Sequence, residues 1–260
     1  MASEVSVAVL GPVMVDGAAR PFRRSASLEL VVYLSLHRRR VAYTEWPVAI
    51  WPDRAVSLTT VYSTASDARR ALGRAADGEW HLPREGGHLR LSESVRTDVE
   101  RFALLESTGD PDEVVEAMRL VRGPLFGGLR RADWAVLDGT QASVEGLVVG
   151  AALDAADRLI EADRGADAAW VVRRALVVSP YDERLYRALL RSTAAQGNRV
   201  ALHVAMRHLL TLAGEVPGSR HGRARRGENQ ALTCLHPRTA TLYRDLLRGA
   251  PAAGGDPARL

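Results

Sequence analysis

The chain has 260 residues, 47% hydrophobic and 25% charged, the range of a folded globular protein of one or two domains, which excludes a disordered chain. No uninterrupted apolar run approaches the roughly 20 residues a membrane helix needs; Val31–Leu36 and Gly146–Leu153 are the longest. Net charge is +4 and all 35 basic residues are Arg, which a GC-rich genome explains most simply. Arg is also the side chain best suited to bidentate phosphate and guanine contacts, so a nucleic-acid partner is permitted without being demanded.

The opening Met1-Ala2-Ser3-Glu4 places an acid where a secretory signal carries positive charge, and Cys234 stands alone. A cytoplasmic protein with no internal disulfide is expected. Val5–Leu10 reads as a strand broken by Gly11-Pro12, and Val13-Met14-Val15 runs into Asp16-Gly17, a hairpin signal. A helix is expected over Ser25–Leu36, with Leu28, Val31, Val32 and Leu36 on one stripe and Ser25 as its cap. Thr44 caps a short helix loaded by Trp46, Val48, Ile50 and Trp51 and ended by Pro52.

The clearest periodicity runs from Leu58 to Leu72. Leu58, Val61, Ala65, Ala68 and Leu72 recur at spacings of three and four and predict one buried face. Thr59, Thr60, Ser63, Ser66, Asp67 and Arg70 fall opposite, and Gly73 stops the helix. Trp80–Pro83 and His88–Leu91, joined through Arg84-Glu85-Gly86-Gly87, read as a second hairpin. Strands, three helices and a closing hairpin are the order of a winged helix, an α+β fold, over residues 1–105.

Past Asp98 the pattern is helical, with short helices at Val99–Ser107 and Asp112–Val121 and a loop marked by Gly123-Pro124 and Gly127-Gly128. From Trp134 the helices lengthen. Ala156, Ala168, Ala175 and Pro180 fall at tetratricopeptide spacing, and a weaker second unit offers Tyr186, Leu189, Gly197, Leu202 and Met206. Small residues there let antiparallel helices approach closely. An all-α, tetratricopeptide-like repeat domain is therefore expected over residues 106–248, and the whole chain is mainly α. Residues 217–227, rich in Arg and Gly, read as a flexible basic insertion; Pro237–Arg248 is a short helix and residues 249–260 a disordered tail.

Enzyme signals are weak: the sequence has no G-x-x-x-x-G-K-[ST] loop, no G-x-S-x-G elbow and no H-E-x-x-H pair, so neither catalysis nor a cofactor is expected. His221, Cys234 and His236 lack a fourth metal ligand, and His203 and His208 do not share a helical face. Trp46, Trp51 and Trp80, at apolar positions, are read as core rather than as stacking platforms for bases, and Trp134 and Trp170 as packed between helices. Arg220–Arg226 is a solvated loop or a backbone clamp; Tyr186 and Arg187 either pack or line a groove.

Val9-Leu10-Gly11-Pro12, Ala49-Ile50-Trp51-Pro52-Asp53 and Ala68-Arg69-Arg70-Ala71-Leu72-Gly73 resemble the DNA-binding half of the Streptomyces antibiotic regulatory protein family. Val121–Phe126, Trp134, the run Ala175–Leu189 and Leu235–Tyr243 resemble its bacterial transcriptional activator domain. The resemblance implies a transcription regulator whose winged helix binds double-stranded DNA at a direct-repeat promoter site. It also implies a helical domain that self-associates as a homodimer or contacts RNA polymerase or another protein. Carried onto this chain, Leu58–Leu72 is the recognition helix and Trp80–Leu91 the wing. Thr59, Thr60, Ser63 and Ser66 reach bases or phosphates, Arg70 makes a charged contact, Arg69 reaches the backbone, and Arg84 and Arg90 touch phosphate or minor groove.

The chain departs from the family pattern at Asp67, where a basic residue is usual; an outward carboxylate there repels phosphate. Residues 1–101 also carry only +2, from 14 Arg and 12 acids, where a DNA binder usually concentrates positive charge. The alternative is an interaction module that does not bind DNA, a degenerate winged helix plus repeats. Such a pair resembles the soluble tail of larger membrane-associated chains with a LysM module, although neither that module nor a membrane helix is found here.

Overall fold

The structure, a computed structural model, describes residues 4–215 and 232–249. The basic stretch Arg220–Arg226, His221 and the tail from residue 250 lie outside the described residues. The described chain is mainly helical and forms two compact units interleaved in sequence: Met1–Gly109 with Arg119–Leu147, and Asp110–Met118 with Val148–Leu260.

In the first unit, β1 (Val5–Ala8) pairs antiparallel with β2 (Met14–Asp16) and parallel with β6 (Val95–Thr97), in the order β2-β1-β6. The first hairpin therefore turns through Val9–Val13, and Asp16-Gly17 instead leads the chain away from the sheet. Helix α1 (Ser25–Leu36) is buried almost all round, from Ser27 to Ser35, rather than on one stripe. Its cap position is Arg24, with no side-chain cap, so Ser25 is the first helical residue. Short helix α2 (Trp46–Ile50) likewise starts after Glu45, not Thr44; Trp46, Ile50 and Trp51 are buried, but Val48 faces solvent.

Helix α3 (Leu58–Leu72) has the bounds its periodicity predicts. Ser57 caps it by accepting from the Thr60 amide at 3.2 Å. Val61, Ala65, Ala68 and Leu72 enter the core, while Leu58 is 68% exposed because it belongs to the first, uncovered turn. The second sheet runs β3-β5-β4, from β3 (Val41–Ala42), β5 (His88–Leu89) and β4 (Arg84–Glu85). Its hairpin turns at Gly86-Gly87, with φ of +49° and +84°, a backbone that two adjacent glycines adopt without strain. Trp80–Pro83 forms no strand beyond a single bridge between Arg74 and Trp80.

Helix α4 (Asp98–Glu106) opens on a full capping box, in which Thr97 and Glu100 satisfy each other's amides. Its first residue also latches the unit. The buried Asp98 carboxylate accepts from the Val9 amide at 2.8 Å and the Leu10 amide at 2.9 Å, with Arg122 at 3.5 Å. The segment after Arg119 returns to that point: the Arg122 amide donates to Leu10 O at 2.6 Å, Phe126 to Val9 O at 3.0 Å and Val13 to Gly127 O at 2.8 Å. Phe126 and Trp134 then close over the core beside Tyr33, followed by α6 (Asp133–Leu137).

The second unit holds α5 (Pro111–Arg119) up to Met118, α7 (Thr140–Glu161) from Val148, α8 (Gly165–Val178), α9 (Glu183–Ala195), α10 (Arg199–Glu215), a 3-10 turn at Leu232–Cys234 and α11 (Pro237–Gly249). Helices α8 and α9 run antiparallel, with Gln196 donating to Gly165 O at 2.9 Å. Ala156, Ala168, Ala175, Tyr186, Leu202 and Met206 are all buried. His208 meets Tyr186 Oη at 3.1 Å, and His203 meets Tyr243 Oη at 2.6 Å, so α10 is tied to α9 and α11. Trp170 is partly exposed beside Arg174 rather than packed between helices. Among the described residues no helix is long and apolar enough to cross a membrane.

Candidate nucleic-acid interface

The exposed side of α3 follows from its period. At roughly 100° per residue, Thr59, Ser63, Ser66 and Arg70 fall within a sector of roughly 60°. All four are exposed or half-buried. Tyr62 joins them at 53% exposed, its ring 5.1 Å from that of Tyr43. Thr60 lies on the flank, where its hydroxyl meets Ser57 Oγ at 3.0 Å.

Asp67 corrects the sequence expectation. It is 8% exposed, and its Oδ2 is buried without a hydrogen-bond partner among the described residues. Its position is roughly 80° round from Thr59. That flank is covered by the segment before α1: Arg20 donates its amide to Ala71 O at 3.1 Å, and Arg24 Nη1 donates to Ser63 Oγ at 2.9 Å. The carboxylate therefore does not face a groove-filling ligand.

The same contact brings in cations that sequence reasoning missed. Arg20, Arg23 and Arg24 are exposed along this flank of α3. The Arg23-Arg24 pair was visible as a charge run, but nothing local linked it to a helix forty residues later.

On the opposite flank of α3, near its C-terminal end, Arg69 and Arg74 place their guanidinium carbons 4.1 Å and 4.3 Å from the centre of the Trp80 ring. Trp80 is thus a half-buried platform for two cations, not simple core. Burial, then the Arg84 and Arg74 charges, push the Arg69 pKa down from its ordinary value. Arg69 Nε is buried with no hydrogen-bond partner among the described residues. His81 next to Trp80 contacts Ser94 Oγ at 2.8 Å, and burial pushes its pKa down, so it adds no charge near neutrality. Arg84 is exposed on β4, whereas Arg90 lies 3.7 Å from Glu93.

Arg20, Arg23, Arg24, Arg69, Arg70, Arg74 and Arg84 make no ion pair with a described residue. Several of the unit's acids are engaged elsewhere: Glu45 by Arg39, Glu100 by Arg38, Glu4 by Arg96, with Glu29, Asp67 and Asp98 buried. The modest +2 of residues 1–101 thus conceals a segregated charge. A helix with exposed hydroxyls along one sector and guanidinium groups free of ion pairs on both flanks can place donors on base edges while cations meet flanking phosphates.

No group of three metal-ligating side chains occurs among the described residues, and His221 lies outside them. The family model for the bacterial transcriptional activator domain matches residues 92–226, leaving α1 to α3 outside the match. The chain's fold is similar to that of Mycobacterium tuberculosis EmbR in complex with a low-affinity phosphopeptide, with a TM-score of 0.64 and 20% identity. That likeness covers 95% of this chain and 66% of the EmbR chain, just under two thirds of its length. No curated protein matches.

Proposed function

This chain belongs to the bacterial transcriptional activator domain family, and from that premise we propose that it is a cytoplasmic DNA-binding transcription regulator. Its first unit acts as a winged helix, with α3 in the major groove and the β4–β5 hairpin as the wing. Thr59, Thr60, Ser63 and Ser66 hydrogen-bond base edges or phosphates, and Arg70 makes the charged contact within the groove. Arg69, Arg84 and Arg90 meet the backbone or minor groove, with Arg24 and Arg74 added by their positions. The second unit, a tetratricopeptide-like stack, self-associates or contacts RNA polymerase or another protein. The family is one of transcriptional regulators rather than enzymes.

The observation that carries this reading is the exposed sector of α3 between two clusters of unpaired Arg. The rival, an interaction module without DNA binding, drew its support from an outward Asp67 and from the modest charge of residues 1–101; Asp67 is buried. The test is selection of duplexes from a random pool. A directly repeated motif is expected with the wild-type chain. Thr59→Ala together with Ser66→Ala is expected to change that motif while leaving overall affinity within about thirtyfold, since two lost neutral contacts are worth about 2 kcal/mol. Recovery of no enriched sequence would overturn the reading.

A further inference from the structure

The second unit carries a trough of about 620 Å3 between α8 and α10, floored by Leu176, Leu189 and Ala205 and walled by Val177, Val200 and Val204. Val200 is 74% and Val204 57% exposed. A lone exposed valine needs no explanation, but these line one concavity of the size that binding sites have. Val200 and Val204 stand one helical turn apart, the spacing at which a second helix interlocks its own apolar stripe.

The polar residues of the trough are Arg173, Asn198 and His208, and none is acidic. Arg173 and the exposed Arg207 beside His208 make no ion pair with a described residue. The acids of α8 and α10 are Asp167 and Glu215. Asp167 is held by Arg164 at 2.7 Å, and Glu215 ends α10 eleven residues past Val204. An apolar slot beside Arg173 and Arg207, neither ion-paired with a described residue, selects an apolar ridge with carboxylates beside it. A second copy meeting this face through its own trough would set Arg173 against Arg173, which like-charge repulsion opposes.

We propose that the α8–α10 trough is the docking site for an acidic amphipathic helix of a protein partner. This deepens the regulator reading, on which it rests for the expectation that the second unit meets a protein. The probe is a fluorescein-labelled 16-residue helical peptide with Leu at i, i+3, i+4 and i+7 and Glu elsewhere, titrated against the full chain by anisotropy. A control peptide carries Lys at every Glu position. The acidic peptide is expected to bind and the Lys peptide to fail. Val204→Glu, at a solvent-facing position that leaves the fold intact, is expected to weaken binding at least about tenfold through lost burial and charge repulsion. Arg173→Glu is expected to weaken it also.

Equal binding of both peptides, or acidic-peptide affinity indifferent to Val204→Glu, would overturn the proposal. So would a concentration-dependent dimer that Val204→Glu abolishes and the peptide does not disrupt, since the occupant would then be a second copy. Duplex binding by the same variants separates the two readings. Peptide failure with DNA binding intact sinks only this proposal, whereas lost DNA binding in the wild type sinks the regulator reading and leaves the peptide result standing.

Discussion

Asp98 ties two remote pieces of chain, Val9-Leu10 and Arg122, to α4 with one carboxylate. Its two oxygens accept from Val9 and Leu10, and Arg122, which also donates to Pro12 O at 2.9 Å, closes the cluster. Asp98→Ala would leave two buried amides unpaired and is expected to cost about 3 kcal/mol in urea unfolding; a loss under about 1 kcal/mol would refute the latch. Glu29 is the opposite case, a core carboxylate with neither oxygen hydrogen-bonded among the described residues. Burial raises its pKa above 4.5, opposed chiefly by the Arg131 charge. The folded state therefore keeps this proton to higher pH than the unfolded chain does. Its contribution is complete below about 4.5 and is lost as pH rises through the folded value. Glu29→Gln, which never ionises, is expected to melt above the wild type at pH 8 and close to it at pH 4. Asp67 shows what periodicity cannot supply. Its spacing placed it opposite the apolar stripe, but the flank it occupies is covered by residues far away in sequence. Asp67→Arg, which an outward position would make a gain in DNA affinity, is instead expected to destabilise the fold by about 3 kcal/mol, seen as a lower Tm.

Among the elements, α3 was the most legible because a five-position apolar pattern and a terminal Gly agree on its bounds. The Gly86-Gly87 hairpin was legible for a similar local reason. Strand β6 was not, since Val95-Arg96-Thr97 is three residues long and finds its partner at Val5–Val7, with no local signal to announce it. The return of residues 122–127 to β1 was hidden in the same way, although both partners carry Gly-Pro. Gly11 has φ of +148°, and a Cβ there would stand 2.8 Å from Arg122 Cβ and 2.9 Å from the Gly123 amide nitrogen. Gly11→Ala is expected to cost at least about 2 kcal/mol, through strain and a clash with backbone; an unchanged denaturation midpoint would contradict this packing. For α3 itself, Arg70→Ala is expected to lower the salt slope of DNA binding by about one unit, the signature of one lost phosphate contact, or to relax the motif at one base if Arg70 reads guanine. An unchanged slope and motif would remove α3 as the reader.

At the scale of the molecule, the motifs that carried the family resemblance converge. Leu10-Gly11-Pro12 and Arg122-Gly123-Pro124-Leu125-Phe126, more than a hundred residues apart, bond to each other within one unit. The repeat spacing in the C-terminal half was legible because small residues recur at fixed intervals, and Ala156, Ala168 and Ala175 are buried where that spacing requires close approach. The charge pattern was not legible. A sum of +2 over residues 1–101 hides seven Arg without ion pairs beside one helix, because six of the twelve acids, Glu4, Glu29, Glu45, Asp67, Asp98 and Glu100, are buried or engaged by other Arg. That segregation is the central claim, and anisotropy of a labelled random duplex titrated with salt tests it most directly. Several phosphate contacts predict a log–log slope of about −4 or steeper, falling to about half when Arg69, Arg74 and Arg84 are together replaced by Ala. No binding at low salt, or a slope indifferent to those three replacements, would contradict the account.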